Sequence, residues 1–395
     1  MKVLMINSVC GIKSTGRICT DLAAELEKRG HTVRIAYGRD EVPAQFAHLS
    51  FKIGNKWGTY AHGCYARVFD AAGFGSKKAT RDFIHWVEDF DPDVIHLHNI
   101  HGYYVNVQIL FDYLRRSNKR IVWTLHDCWA FTGHCCYFDY ADCAKWKEQC
   151  CNCPQKQDYP ASVLLDRSKE NYIKKKELFS GLADMTLVTP SRWLASLVHE
   201  SFLHDYPVRV IPNWVNTNTF SNTPEDFRKQ YNIKKKYVVL GVASVWDRRK
   251  GLDVFLKLNE LLGGDYQIVL VGLTAKQQRD LPESIIGISH TSSVRELTEI
   301  YSAADVFVNP THEDNYPATN LESIACGTPV ISFDTGGSGE SASLYGAVVP
   351  ENNLEKLIEE IHKVAEGAAQ LSVPDLDAIN SSSFENYFRL LEGRH

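Results

Sequence analysis

The chain has 395 residues, 44% hydrophobic and 11% aromatic, so it carries enough apolar surface to offset the entropy of ordering and is not a disordered chain. At roughly 100–200 residues per domain the length allows two cores, and a formal charge of −5 excludes a general nucleic-acid binder driven by net charge. That average hides a split: residues 1–212 carry 27 Lys and Arg against 23 Asp and Glu (net +4), and residues 213–395 carry 16 against 25 (net −9).

Residues 2–7 (KVLMIN) read as a short apolar strand, followed by a Gly-containing loop and the helical pattern DLAAELEKRG, which Gly30 ends. TVRIAYG follows as a second strand. Strand, loop, helix and strand in this order predict a parallel sheet with crossover helices. The pattern continues with strands at DVIHLHN (93–99), KRIVWTLHD (119–127) and MTLVTPS (185–191), so the first half reads as one doubly wound α/β domain. After IPNWVN (211–216) a second series begins, with strands at 237–244, 266–272, 305–310 and 329–334 and helices at 251–262, 293–303 and 318–326. The expected organisation is therefore two Rossmann-like domains, 1–212 and 213–373, with a ligand cleft between them at the carboxyl ends of the strands. A last helix over 374–395 need not belong to the domain that precedes it.

The N-terminus (MKVLMINSVCGIKSTGR) has no apolar signal-peptide run, and no stretch approaches about 18 uninterrupted apolar residues. A cytoplasmic setting is expected, where clustered cysteines mark metal or burial before disulfides. Seven of the eleven cysteines lie between Cys128 and Cys153. Cys135, Cys143, Cys150 and Cys153 have the form C-x7-C-x6-C-x2-C, and the closing C-x2-C is a knuckle that suits a tetrahedral, structural Zn²⁺. Buried or redox-sensitive thiols are the competing account, and His134 is an alternative ligand.

Several loops at strand ends carry chemistry. Gly11 and Gly16 lie between the first strand and the first helix, where free N–H groups favour a phosphate, although a turn glycine without a ligand would look the same. HLHNIHG contributes His96, His98 and His101; His96 and His98 share a strand face and read as a metal pair, substrate contacts or structural imidazoles. His126, before Asp127 at the end of the next strand, is the better candidate. In WDRRKGLD, Arg248, Arg249 and Lys250 precede a helix and suit a departing diphosphate. In HEDNYPATNLESIACGTPV, Asp314 and Glu322 flank seven residues, and a helix opening near Ala318 aims N–H groups at the same region.

At these residues the sequence resembles the family 4 retaining glycosyltransferases of the GT-B fold, of the bacterial capsule, O-antigen and colanic-acid type. The likeness runs over nearly the whole chain, through the Gly11–Gly16 loop, HLHNIHG, LHDCWAFTGHC, TPSRW, IPNWVNTNTF, RRKGLD, the E-D-N-Y-P to C-G-T-P-V block and FDTGG. It implies that Gly16 approaches the donor diphosphate, that His126 contacts the transferred sugar, that His98 is a further substrate-binding residue, and that Lys250 and Arg249 hold the diphosphate. It further implies that Asp314 faces the hexose hydroxyls, that Glu322 binds the nucleotide ribose, and that Asn315, Tyr316 and the N–H groups up to Leu321 complete the donor site. The donor would be a UDP- or GDP-sugar and the acceptor a glycan or polyprenyl-diphosphate-linked glycan. Transfer would need no divalent metal, and the anomeric configuration would be retained by same-face attack.

The chain departs from the family pattern in three places. Asp314 stands where Glu is usual, the Gly-Arg before the Lys is absent around Ser244–Val245, and Trp214 replaces the Gly of I-P-N-G-V-D. Residues 52–81 interleave Lys52, Lys56, Arg67, Lys77, Lys78 and Arg81 with Trp57, Tyr60, Phe69 and Phe74, which suits an anionic inner-leaflet surface as well as a solvated face over core aromatics. Two other functions compete: a nucleotide-sugar epimerase or hydrolase of the same fold, and a non-catalytic zinc-dependent binding module. A nicotinamide oxidoreductase lacks its glycine fingerprint.

Overall fold

The structure, a computed structural model, describes residues 1–223 and 227–393. It divides into two compact units, residues 1–212 with 382–395, and residues 213–381.

The first unit is built on seven strands: β1 (Lys2–Asn7), β2 (Thr32–Tyr37), β3 (Ser50–Lys52), β4 (Val94–Leu97), β5 (Arg120–Thr124), β6 (Met185–Thr189) and β7 (Val208–Val210). They pair in parallel in the order β3-β2-β1-β4-β5-β6-β7. Central strands such as β1 and β4 are covered on both faces, so β1 reads as an apolar run after Lys2 and β4 is fully buried, interrupted by His96 alone. The crossover helices are α1 (Lys13–Lys28), α2 (Lys56–Phe69), α3 (Lys77–Phe90), α4 (Val107–Ser117), α5 (Ser168–Phe179) and α6 (Arg192–Glu200). Helix α1 starts earlier than its apolar spacing predicts. Gly16 therefore sits in its first turn instead of in the preceding loop, packed so closely that a Cβ would lie 3.1 Å from Val9.

Between β5 and α5 the chain makes a long insertion of short 3₁₀ turns. An aromatic cluster of Phe131, Phe138 and Trp146 joins it to the first unit's hydrophobic core. Lys175 of α5, 1% exposed, anchors it by donating to the carbonyls of Trp129 and Thr132 at 2.8 and 3.1 Å. Asp70, at the end of α2, accepts from His134 Nδ1 and from the backbone N–H of Arg167.

The second unit has strands β8 (Tyr237–Val242), β9 (Tyr266–Val271), β10 (Ile286–Ile288), β11 (Val306–Asn309), β12 (Val330–Phe333) and β13 (Gly346–Val349), parallel in the order β10-β9-β8-β11-β12-β13. Its helices are α7 (Phe227–Gln230), α8 (Leu252–Leu261), α9 (Ala275–Asp280), α10 (Val294–Ala303), α11 (Ala318–Ala325), α12 (Ser338–Ala342) and α13 (Leu354–Ala365). Helix α14 (Leu376–Glu392) begins in this unit and ends in the first. There Tyr387 Oη lies 3.0 Å from Thr124 Oγ1, and the Arg29 guanidinium stacks 3.7 Å from the Phe388 ring.

In both sheets the order reverses beside the first strand, between β1 and β4 and between β8 and β11. Loops that leave neighbouring strands in opposite directions open a crevice at their carboxyl ends, the usual ligand position in such sheets.

Candidate active site

In the second unit, the loops that follow β8 and β11 flank the reversal. After β8, Asp247 caps a 3₁₀ turn over Arg248–Lys250: its carboxylate accepts from the backbone N–H of Arg249 and pairs with the Arg249 guanidinium, both at 3.0 Å. Arg249 also donates to the carbonyl of Glu313 at 3.2 Å, while its own carbonyl accepts from His312 N–H at 2.7 Å. Lys250 forms an ion pair with Asp314. Residues read from two separate motifs therefore meet, because β8 and β11 are hydrogen-bonded neighbours.

Asp314 is held from several sides. One oxygen accepts from Asn315 N–H at 2.8 Å, and its carbonyl accepts from Gly337 N–H at 2.9 Å. Helix α11 opens just beyond it with Pro317 at the N-cap and no side chain capping its first N–H groups. Glu322, buried on that helix, receives the Tyr301 hydroxyl at 3.3 Å. Asn315, Tyr316 and Leu321 are also buried. Asn320 fixes α11 by accepting from Asn309 at 2.8 Å and donating to Ser341 at 2.9 Å. Two cations and a carboxylate on one pair of loops, with a helix N-terminus and a second carboxylate on that helix, can bind a diphosphate and a set of vicinal hydroxyls.

In the first unit, His98 and His126 follow β4 and β5, and His98 Nδ1 lies 3.0 Å from His126 Nε2. Burial pushes His126 down to about 4 and His98 well below the ordinary imidazole range, so both are neutral near pH 7. His96, pushed down to about 3 by burial, has its Nε2 on Thr124 Oγ1 at 2.8 Å. The strand-face pair His96 and His98 thus spends one nitrogen each on separate partners. His98, His101, His126 and Asp127 line a small common cavity. Gly11, at φ +71, donates its N–H to the Gly16 carbonyl at 3.1 Å and shapes the entry to α1.

Sequence spacing missed one cluster here. Among the described residues, the metal-capable side chains that converge within 4.8 Å are His101, Asp127 and Cys136, all buried. His101 Nε2 is 2.8 Å from Asp127 Oδ2, and Tyr159 Oη approaches His101 Nδ1 at 3.4 Å. Only the long insertion brings Cys136 and Tyr159 back to the strand ends, so no local spacing announces the group.

The four cysteines expected to hold zinc are only partly gathered. Cys135 hydrogen-bonds Cys153 and so favours the Cys153 thiolate, and Gly133 N–H points at Cys150 Sγ at 3.2 Å. Among the described residues no three of these sulfurs lie within 4.8 Å of one another. The donors are chemically right for Zn²⁺, but they are not drawn into a tetrahedral set.

Two doubly wound units, each a parallel sheet whose order reverses beside its first strand, make up the GT-B fold of glycosyltransferases. The profile of Glycosyltransferase Family 4 matches residues 15–219, and that of Glycosyl transferases group 1 matches residues 223–372. The chain belongs to glycosyltransferase family 4.

Among curated relatives, the colanic acid biosynthesis glycosyl transferase WcaC of Escherichia coli K12 is 24% identical over 279 residues, which are 68% of this chain and 66% of WcaC. A Campylobacter jejuni N,N'-diacetylbacillosaminyl-diphospho-undecaprenol alpha-1,3-N-acetylgalactosaminyltransferase is 29% identical over 37% of this chain and 40% of its own. The chain thus spans less than two thirds of the length of the curated relatives it matches. Among solved structures, Anabaena HepE in complex with UDP superposes with a TM-score of 0.63 at 14% identity, covering 98% of this chain and 100% of HepE.

Proposed function

We propose that the protein transfers a sugar, with retention of anomeric configuration, from a UDP- or GDP-sugar to a glycan or polyprenyl-diphosphate-linked acceptor in bacterial surface polysaccharide synthesis. It would act in the cytoplasm beside the inner leaflet that carries such acceptors. The observation that carries the proposal is the meeting of Arg249, Lys250, Asp314 and the α11 N-terminus at one sheet reversal.

The donor diphosphate competes with Asp314 for Lys250. Arg249 and the N–H groups of α11 take the remaining phosphate charge, and Gly16, in the first turn of α1, is assigned to the donor diphosphate by the family resemblance. As the sugar–phosphate bond breaks, negative charge grows on the leaving diphosphate, and fixed cations stabilise that state more than the ground state. Charge neutralisation from side chains and a helix end is work a divalent metal does elsewhere, which favours metal-independent transfer. Asp314, released from Lys250, faces the hexose hydroxyls with Asn315 and Tyr316, and Glu322 takes the ribose diol. A neutral His126, oriented by His98, accepts or donates one hydrogen bond to the transferred sugar without bringing a competing charge. A donor phosphate oxygen removes the acceptor's proton on the same face. HepE's UDP and the undecaprenol-linked substrate named for the Campylobacter relative support this donor and acceptor class.

The test is transfer to an added acceptor, with a no-acceptor control that exposes epimerase or hydrolase chemistry. Lys250→Ala and Glu322→Ala should each lower kcat/KM by about 10²-fold or more, with circular dichroism unchanged; wild-type rates in Lys250→Ala would sink the assignment. UDP at roughly 100 times its Kd should add about 2.7 kcal/mol of stability, and Lys250→Ala should abolish that gain.

We propose further that Cys135, Cys143, Cys150 and Cys153 would close into a structural Zn²⁺ set only on binding the ion, a reading supported by the C-x2-C spacing, the Cys135–Cys153 contact and the N–H on Cys150. When bound, the ion would cross-link the loop and take no part in transfer. Metal analysis should find near one zinc per chain, lost in Cys150→Ser; metal-free protein of full activity and stability excludes it.

A further inference from the structure

His101 and Asp127 follow neighbouring strands at the same end of the first sheet. Leu97 of β4 pairs with Trp123 of β5, so the loops beyond them run side by side. Cys136 belongs to the insertion, and a backbone bond returns it to this end: its carbonyl accepts at 2.9 Å from the N–H of Cys128, one residue past Asp127. The three residues are 7%, 9% and 3% exposed, and one donor atom of each lies within 4.8 Å of the other two. None of them belongs to the C-x7-C-x6-C-x2-C set.

The donors are aimed from outside. Asp127 Oδ1 accepts from Trp129 N–H at 2.9 Å, which turns Oδ2 toward His101 Nε2 at 2.8 Å. The other ring nitrogen of His101 lies 3.4 Å from Tyr159 Oη, and the ring packs 5.3 Å from that of Trp129. An imidazole and a carboxylate each tied outward through one atom and converging through the other are held as metal ligands are held. A His–Asp hydrogen bond by itself needs no sulfur, and the approach of Cys136 to both is what makes a donor set. Donors of a tetrahedral Zn²⁺ site stand about 3.4–3.6 Å apart, so closing this group takes shifts of about 1 Å.

The donor chemistry decides the ion. Thiolate and imidazole favour Zn²⁺ over Mg²⁺ and Ca²⁺, which take oxygen ligands. A thiolate and a carboxylate together balance a divalent charge that burial would otherwise penalise. Three protein ligands leave a fourth position for water. A cavity of about 10 Å³, close to the room of one water, borders His101 and Asp127 and is also lined by His98 and His126.

We propose that His101, Asp127 and Cys136 form a site for a divalent ion of Zn²⁺ type, with water as its fourth ligand, separate from the four-cysteine set. It does not rest on the transferase reading. With three protein donors in place of four, it fills from added metal after the four-cysteine set.

The experiment uses the full chain, reduced and stripped of metal, with Co²⁺ as a coloured stand-in for Zn²⁺ and bound metal measured by equilibrium dialysis. Cys136→Ser and Asp127→Asn, both close in shape to the native side chains, should each bind one equivalent fewer than wild type, or bind it at least about tenfold more weakly. Cys150→Ser, which breaks the four-cysteine set, should keep that equivalent. The difference spectrum between wild type and Cys136→Ser should show a thiolate-to-cobalt band, which Zn²⁺ bleaches and a large excess of Mg²⁺ does not. Circular dichroism checks that the variants are folded, and two substitutions at separate ligands keep the test open if one of them is not. Equal uptake by wild type and the folded variants overturns the site, as does displacement of the ion by Mg²⁺. Loss in one folded variant but not in the other also overturns it, because the ion is then held without the three residues together. An ion lost in Cys136→Ser and Asp127→Asn but kept in Cys150→Ser supports the site even where it is the single ion bound, and then counts against the four-cysteine set.

Discussion

Two glycines let the loops that carry Lys250 and Asp314 pack against their neighbours. Gly251 lies at φ +69, and a Cβ there would meet the Pro310 carbonyl oxygen at 2.2 Å. Gly336, at φ +57, would meet the Asp314 carbonyl oxygen at 2.1 Å. Both conformations disfavour L side chains, and both contacts are with backbone that cannot swing away. The loops after β8 and β12 can press on the loop after β11 only because nothing projects from these positions. Gly251→Ala and Gly336→Ala should each cost about 1–3 kcal/mol in urea unfolding and weaken nucleotide binding, since Lys250 and Asp314 would be forced apart. Gly263→Ala is the control, with no atom within 4 Å of its Cβ, and should leave nucleotide binding unchanged. Equal effects at all three positions would mean that backbone entropy, and not the packing of these loops, sets the result.

What the sequence makes legible at the level of elements follows burial. Central strands such as KVLMIN and YQIVLV, covered on both faces, stand out as apolar runs, whereas edge strands β3 and β10 are three residues long and have no comparable run. Arg249, Lys250 and Asp314 are visible because they sit in loops at strand ends. The Lys250–Asp314 pair is not, because its partners are 64 residues apart and meet only through the β8–β11 pairing. The aromatics of residues 52–81 also divide in a way composition hides: Phe74 packs against the core, while Trp57 and Tyr60 face water. The end of α14 is a similar case. Its NSSSFENYFRLLE pattern marks a helix, but only the fold shows that Tyr387 enters the first unit and reaches Thr124. Tyr387→Phe should cost about 1 kcal/mol for the lost hydrogen bond, and Tyr387→Ala about 3–5 kcal/mol for the emptied site. Chemical unfolding of the two variants separates the contributions, and a Tyr387→Ala protein of wild-type stability would show that α14 is not needed by the first unit.

Across the first unit the buried imidazoles set a direction for acid stability. Burial lowers His62 and His126 to about 4, His96 to about 3, and His98 well below the ordinary value. A folded-state pKa below the unfolded one means that the native state prefers the neutral ring. The contribution is complete above about pH 6.5 and is lost as pH falls toward the folded values, because only the unfolded chain takes up the proton. Each such histidine tilts stability by up to about 1.4 kcal/mol per pH unit in that window. His134 acts in the opposite sense: burial lowers it, but the hydrogen bond and the charge attraction of Asp70 together raise it, so its contribution is present at low pH and fades as pH rises through its folded value. Four depressed groups against one raised group give a net loss toward acid. Six of the eight tryptophans lie in residues 1–212, so their fluorescence reports mainly on this unit. Its melting temperature should hold from pH 8 to about 7 and fall progressively between about pH 6.5 and 4. His96→Gln, which removes one titrating ring while keeping a polar group for Thr124, should flatten that slope even if it lowers the plateau. A slope unchanged by His96→Gln would show that the acid sensitivity arises from carboxylates and not from the buried histidines.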